Sequence, residues 1–248
     1  MKRLLILGGT ADARQLAADA TGRFGEKLDV ITSWAGRTGR APDVAGRARV
    51  GGFGGAAGLE DYIKAEEIAM VIDATHPFAE TISMAAHDAC LNAETPRLLL
   101  ERPPWQLPAD ARWVEVDDLE AAAEACQRCA ERVFLTTGKQ TLDAFAGIDD
   151  IWFLVRLIDP PAESLPITHC EITTGRPPFT EDHETQLMRE HRIDVVVSKA
   201  AGGPVPAKIT SALALKLPII LIAPPAPPPS IFADTIEGAL TWIETQLA

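Results

Sequence analysis

Aromatic residues are scarce: Phe, Trp and Tyr make up 6% of the 248 residues, and Tyr62 is the sole tyrosine. Tyr62 is followed by Ile-Lys-Ala-Glu, so the chain lacks the Tyr-x-x-x-Lys pair of NADP-dependent epimerases and reductases of sugars. No apolar run approaches the roughly 20 residues of a membrane span, so no membrane partner is expected. The start, "MKRLLILGG", carries five apolar residues before its glycines. A secretory leader needs an apolar core of roughly 7–15 residues, so none is expected here and the expected compartment is the cytoplasm. Basic residues are in deficit, with 23 Lys and Arg against 35 Asp and Glu and a formal charge of −12. Nucleic acid rewards clustered Lys and Arg, so it is not an expected partner. A few cations in one cleft can still hold a small anion. Cysteine is limited to Cys90, Cys126, Cys129 and Cys170. The Cys126/Cys129 pair has redox or metal spacing, but it sits inside an alanine-rich helical stretch. No second Cys-x-x-Cys or His pair completes a metal set, so buried structural thiols and no metal are expected.

Short apolar runs alternate with helical stretches along the whole chain. Strands are expected at 3–7, 28–32, 48–50, 69–74, 97–101, 112–116, 132–136, 151–157, 170–174, 194–198 and 218–222. Their continuous Val, Ile and Leu content suits parallel strands buried on both faces. Helices are expected at 11–23, 58–66, 78–92, 118–131, 180–191, 206–216 and 234–247. The alternation implies an α/β fold of doubly wound parallel sheets. Three prolines in "ERPPWQLPADA" (101–111) divide the chain into residues 1–100 and 101–248. The cleft between two such units is the expected ligand site. A second proline cluster, "APPAPPPS" (223–230), reads as a rigid arm carrying the last helix to its docking place.

The chemistry-bearing residues cluster where strands end. Gly8, Gly9 and Thr10 follow the first strand and open a helix, an arrangement that offers amides to a phosphate. The G-x-G-x-x-G pattern is incomplete, because Ala13 stands at the third glycine, and a plain βα turn would use the same letters. The second strand leads into Ser33, Arg37 and Arg40 with no acid, which suits a ribose 2′-phosphate and so NADPH over NADH; a solvated basic loop is the alternative. "GGFGG" contributes Gly52, Phe53 and Gly54, either as backbone pressed against a ligand or as a mobile loop. The fourth strand ends "DATHPFA", placing Thr75 and His76 at the ligand-binding edge, with Pro77 and Phe78 opening the next helix. His76 could donate a proton or bond a ligand. In the second half Thr137 and Gly138, Arg156, and Ser198, Lys199 and Lys208 recur on the same edge.

Taken in order, "ILGGTADAR", "GGFGG", "DATHPFA", "ERPPW", "TTGK", "VRL", "RPPFTEDHE", "VVVSKAAGG" and Lys208 resemble the precorrin-6A reductase family of cobalamin biosynthesis. The resemblance implies two Rossmann-like domains, an NADPH-binding one at 1–100 and one at 101–248 that completes the cofactor and substrate cleft. It also implies hydride transfer to C19 and protonation at C18 of the precorrin-6A macrocycle, giving precorrin-6B. The substrate is then a tetrapyrrole bearing many carboxylates, for which Arg102, Arg156, Arg176, Lys199 and Lys208 are candidate cations, with Ser198 beside them. His76 is the candidate proton donor, with solvent as the alternative. Neighbouring enzymes of the cobalamin pathway are candidate partners. Two positions depart from the family pattern: Ala201 replaces the second serine of Ser-Lys-x-Ser-Gly, and Pro177 replaces the glycine of Gly-Pro-Phe. A cobalt-containing form of the substrate, or a non-catalytic tetrapyrrole or nucleotide carrier on the same fold, are the competing expectations.

Overall fold

The structure is a computed structural model of the chain in which residues 1–35 and 44–248 are described. The first stretch contains β1 (Lys2–Leu7), α1 (Ala11–Phe24), β2 (Leu28–Trp34), β3 (Arg47–Val50), α2 (Gly55–Ala65), β4 (Ile68–Asp73), α3 (Glu80–Asn92) and β5 (Arg97–Leu100). Then come β6 (Trp113–Val116), α4 (Leu119–Cys129), β7 (Arg132–Leu135), β8 (Trp152–Leu157), β9 (Cys170–Thr174), α5 (Glu181–Glu190), β10 (Val195–Lys199), α6 (Ala207–Ala214) and β11 (Ile219–Ile222). The chain closes with β12 (Ile231–Ala233) and α7 (Ile236–Leu247).

Helix starts follow local chemistry. Thr10, Thr180 and Thr235 accept the amides of Ala13, His183 and Gly238, and Asp118 accepts that of Ala121. Each such cap is worth about 1 kcal/mol. In β1, Leu4 and Ile6 face one way and Leu5 and Leu7 the other, and none is more than 2% exposed. An unbroken apolar run is what a strand covered on both faces requires. Leu16, Ala17, Leu240 and Ile243 from α1 and α7 close one face. Leu59, Ile63, Ala86 and Ala89 from α2 and α3 close the other. In the second sheet Phe134, Leu154, Val196 and Leu221 pack with Leu187, Met188, Ile209 and Ala212 of α5 and α6.

Two compact units result, one of residues 1–103 with 225–248 and one of residues 104–224. Each holds a six-stranded sheet, in the order β12-β5-β4-β1-β2-β3 in the first and β6-β11-β10-β7-β8-β9 in the second. All recorded pairings are parallel. Counting from β1 and from β7, both sheets follow the doubly wound order 3-2-1-4-5-6. The sixth strand breaks the chain order in both: β12, from the end of the chain, pairs with β5, and β6 pairs with β11.

The structure differs from sequence expectation in several places. Residues 225–248, expected with the second unit, belong to the first, because β12 extends its sheet and α7 covers α1. β12 itself escapes prediction, being three residues long with Ile231 and Phe232 62% and 71% exposed. Helix α3 starts at Glu80, leaving Pro77 and Phe78 in a turn. The segment after Gly138 is a 3₁₀ helix, Lys139–Phe145. Cys90 and Cys126 are buried, and burial pushes both thiols up to about 12, but Cys129 is exposed and Cys170 half-buried.

Candidate functional site

In the first unit, β1 delivers Gly8, Gly9 and Thr10 to the carboxyl edge where the strand order reverses between β2 and β4. The Gly8 amide donates to the Ser33 carbonyl at 2.8 Å. A Cβ on Gly8 would stand 3.1 Å from that oxygen and from Thr32 Cγ2, so a side chain there requires β2 to give by a few tenths of an ångström. Gly9 adopts φ +127°, which an L side chain strains to reach. Thr10 accepts the Ala13 amide at 3.1 Å and donates its own proton to the Ala74 carbonyl at 2.7 Å. Its hydroxyl is therefore spent on the fold. The Ala11 and Asp12 amides, which have no intrahelical acceptor, are the donors this turn presents to an anion. Asp12 is ion-paired with Arg102, so the acid of this first turn is neutralised and a guanidinium stands beside it.

Ser33, at the end of β2, is 5% exposed. Arg49 stands opposite it in register on β3 and donates to Ser33 Oγ at 3.2 Å and to the Gly51 and Gly52 carbonyls. Its guanidinium lies 3.7 Å from the centroid of the Phe53 ring. The segment Gly51–Gly54 is thereby tied to the end of β2. Arg37 and Arg40 lie outside the described residues.

Asp73 closes β4 and is fully buried. Its Oδ1 accepts both the amide (3.1 Å) and the hydroxyl (2.7 Å) of Thr75. Its Oδ2 lies 3.9 Å from Arg97 Nη1, and Arg97 donates onward to the Pro229 carbonyl at 3.1 Å and to Ser230 Oγ. This buried chain fastens the proline segment along the sheet edge. Thr75, His76, Glu80, Glu101 and residues 225–228 line the pocket that results. His76 is exposed, and its Nδ1 accepts the Phe78 amide at 3.3 Å, which puts the neutral ring's proton on Nε2.

In the second unit, Arg156 on β8 is buried between the rings of Phe134 and Phe179, 4.7 and 4.1 Å from their centroids. It is ion-paired with Glu184 of α5, whose carboxylate is 1% exposed. Arg156 Nη2 and Glu184 Oε2 are buried with no hydrogen-bond partner among the described residues. Lys208 Nζ donates to Thr136 Oγ1 at 2.8 Å. Burial lowers its ammonium to about 8, assisted by Arg156 and Lys199 and opposed by Glu184. Arg156, Lys199 and Glu184 thus all act electrostatically on the Lys208 ammonium at this edge. Ser198 is fully buried at the end of β10, beside Lys199. Thr137 is buried and accepts the Thr141 hydroxyl at 2.8 Å, and that hydroxyl also meets the Gly138 carbonyl. Arg176 stands apart from the cluster, paired with Asp159 at the surface.

The structure therefore brings Gly8, Gly9, Thr10, Ser33, Gly52, Phe53, Gly54, Thr75, His76 and Arg102 to one edge of the first unit. Arg156, Lys199 and Lys208 gather in the second. Sequence inspection missed Arg49, Asp12, Arg97 and Glu184. Arg49 carried the one usable signal, a cation at the strand end leading into "GGFGG".

Residues 3–244 match the family model described as Precorrin-6x reductase CbiJ/CobK. The chain is 43% identical over 248 residues to the Precorrin-6A reductase of Rhodococcus erythropolis, covering 99% of this chain and 98% of that protein. It is 42% identical over 244 residues to the Precorrin-6A reductase of Rhodobacter capsulatus, covering 98% and 96%. A solved structure described as CobK precorrin-6A reductase superposes with a TM-score of 0.92 at 41% identity, covering 99% of this chain and 97% of that one.

Proposed function

The chain belongs to the precorrin-6x reductase family, and from that premise we propose that it reduces precorrin-6A to precorrin-6B with NADPH in cobalamin biosynthesis. The observation that carries the cofactor is the edge of the first sheet. A glycine turn opens a helix at the point where strand order reverses, and Ser33 and Trp34, with no acid, close β2. That combination suits a dinucleotide pyrophosphate and a phosphorylated ribose. Trp34 Nε1, buried near Gly8 with no acceptor among the described residues, is a further donor at the same place.

When bound, NADPH supplies the hydride, delivered to C19 of the macrocycle; the protein binds, orients and supplies the proton. The Ala11 and Asp12 amides would hold the pyrophosphate, with Arg102 offsetting the Asp12 charge. Thr75, fixed through Asp73, positions the edge of β4, and His76 holds on Nε2 the proton destined for C18. In the second unit, Thr137 and Gly138 follow β7 in a glycine turn of the same kind and are the cofactor-facing candidates there. Arg156, Lys199 and Lys208, with Ser198 and the outlying Arg176, take carboxylates of the tetrapyrrole. Preformed cations suit a polyanion because they are already gathered where its carboxylates dock, and each docked carboxylate offsets their mutual repulsion further. Among the described residues no helix is long and apolar enough to cross a membrane, and we assign the reaction to the cytoplasm.

Anaerobic incubation of the protein with NADPH and either precorrin-6A or cobalt-precorrin-6A tests this. Stoichiometric NADPH oxidation with the metal-free ring is the expected result. Tight binding of the ring without oxidation would make the protein a carrier, and preference for the cobalt ring would reassign the substrate.

A further inference from the structure

We propose that Arg49 reads the 2′-phosphate on the adenosine ribose of the cofactor. The inference rests on the NADPH assignment above and adds the residue that enforces it.

Three observations converge on this side chain. The first is place. In a doubly wound sheet of this order the ribose 2′ position lies at the end of the second strand. Arg49 pairs in register with Ser33 at that end of β2.

The second is unspent charge. Arg47, two residues earlier on the same strand, is ion-paired with Asp29 and Glu66. Arg49 meets only neutral acceptors among the described residues: Ser33 Oγ, the Gly51 carbonyl and the Gly52 carbonyl. Among the described residues its positive charge is left uncompensated at a partly buried position, a state that an incoming anion relieves.

The third is geometry. A guanidinium carries five N–H groups in a plane. Nη1 gives both of its own to Ser33 and Gly51, and Nη2 gives one to Gly52. The N–H of Nε and the second N–H of Nη2 have no acceptor among the described residues. Nε and Nη2 make up one side edge of the guanidinium, the edge whose two nitrogens match two oxygens of one phosphate. The plane is held flat against Phe53 at 3.7 Å, with Tyr62 at 5.0 Å, and the two rings meet edge to face at 5.2 Å. A donor pair locked by three hydrogen bonds and a ring loses little further freedom on binding.

The test compares adenosine 2′,5′-bisphosphate with 5′-AMP, which differ only in the 2′-phosphate, by calorimetry on the whole protein. The wild-type protein should prefer the bisphosphate. Arg49→Gln should weaken the bisphosphate by roughly 10- to 100-fold and leave 5′-AMP within about twofold. Arg49→Lys keeps a charge without the fork and should lose part of the preference; it also decides the matter if Arg49→Gln does not fold. Retained preference in both variants would overturn the assignment of Arg49 while leaving the NADPH assignment standing. Equal weakening of both ligands would also overturn it, because Arg49 would then merely hold the Gly51–Gly54 segment. A wild-type protein without preference would remove the NADPH assignment and this inference with it.

Discussion

The Thr10 hydroxyl donates to the Ala74 carbonyl at 2.7 Å while accepting the Ala13 amide at 3.1 Å, so one side chain joins the turn after β1 to the turn after β4. Thr10→Ala removes a helix cap and a tie between two loops, and should lower stability by about 1–2 kcal/mol in urea unfolding. Thr10→Ser should recover most of that loss. A serine variant as weak as the alanine variant would show that the methyl group, and not the hydroxyl, holds the turns together.

Asp12 and Arg102 are each about one-third exposed, at 28% and 31%. An exposed pair contributes at most about 1 kcal/mol to stability. Arg102→Ala should therefore leave thermal stability nearly unchanged. It should raise the KM for NADPH by roughly 3- to 10-fold, because Asp12 would stand uncompensated beside the turn that presents amides to the pyrophosphate. Adding Asp12→Asn to Arg102→Ala should return the KM toward the wild-type value in steady-state assays.

Glu184 and Arg156 form a buried pair. Removing one partner of such a pair costs about 3–5 kcal/mol, since the other is left charged and unmatched. Glu184→Gln should lower stability toward the smaller of these values, as read by urea unfolding, yet should tighten binding of the polycarboxylate ring. Weaker ring binding would mean that Glu184 acts by aiming the guanidinium and not by opposing the substrate's charge.

Lys208 carries a pH signature. Its ammonium sits near 8 in the folded protein against an ordinary 10.5. Between those values the unfolded chain binds more protons than the folded one, so the contribution of Lys208 makes stability rise with pH across that window. Lys208→Met should flatten this rise. An anion docked at the same edge favours the charged amine. Binding of precorrin-6A near pH 8 should therefore take up protons in the wild-type protein and not in Lys208→Met, measured by calorimetry in buffers of different ionisation enthalpy.

Most of the fold was legible in the sequence because its signals are local. Apolar runs such as "LLIL" and capping residues such as Thr10, Thr180 and Thr235 announce a buried strand or a helix start within a few residues. What sequence could not supply was partnership at a distance. Arg102 and Arg176 read as free cations, but the structure pairs them with Asp12 and Asp159, neighbours that no spacing rule connects to them. Arg156 stood out as a charge inside an apolar strand, whereas its carboxylate arrives from a helix 28 residues later. Arg49 was read only as part of a strand, since its value comes from Ser33, Phe53 and two carbonyls that the register brings to it. The sixth strands were illegible for the same reason. Nothing in "IFA" or in "WVEV" tells which sheet it joins.

That placement of β12 sets a schedule for biosynthesis. The strands of the second sheet have all been translated by residue 222, but β5 gains its outer neighbour and α1 its cover only from residues beyond 225. The half that is translated first is finished last. At about 5–20 residues per second, the roughly 120 residues between them amount to a wait on the order of ten seconds with the edge of β5 open. During that interval the nascent first unit presents an unpaired strand edge and an uncovered apolar helix, the surfaces that chaperones hold and that aggregation exploits.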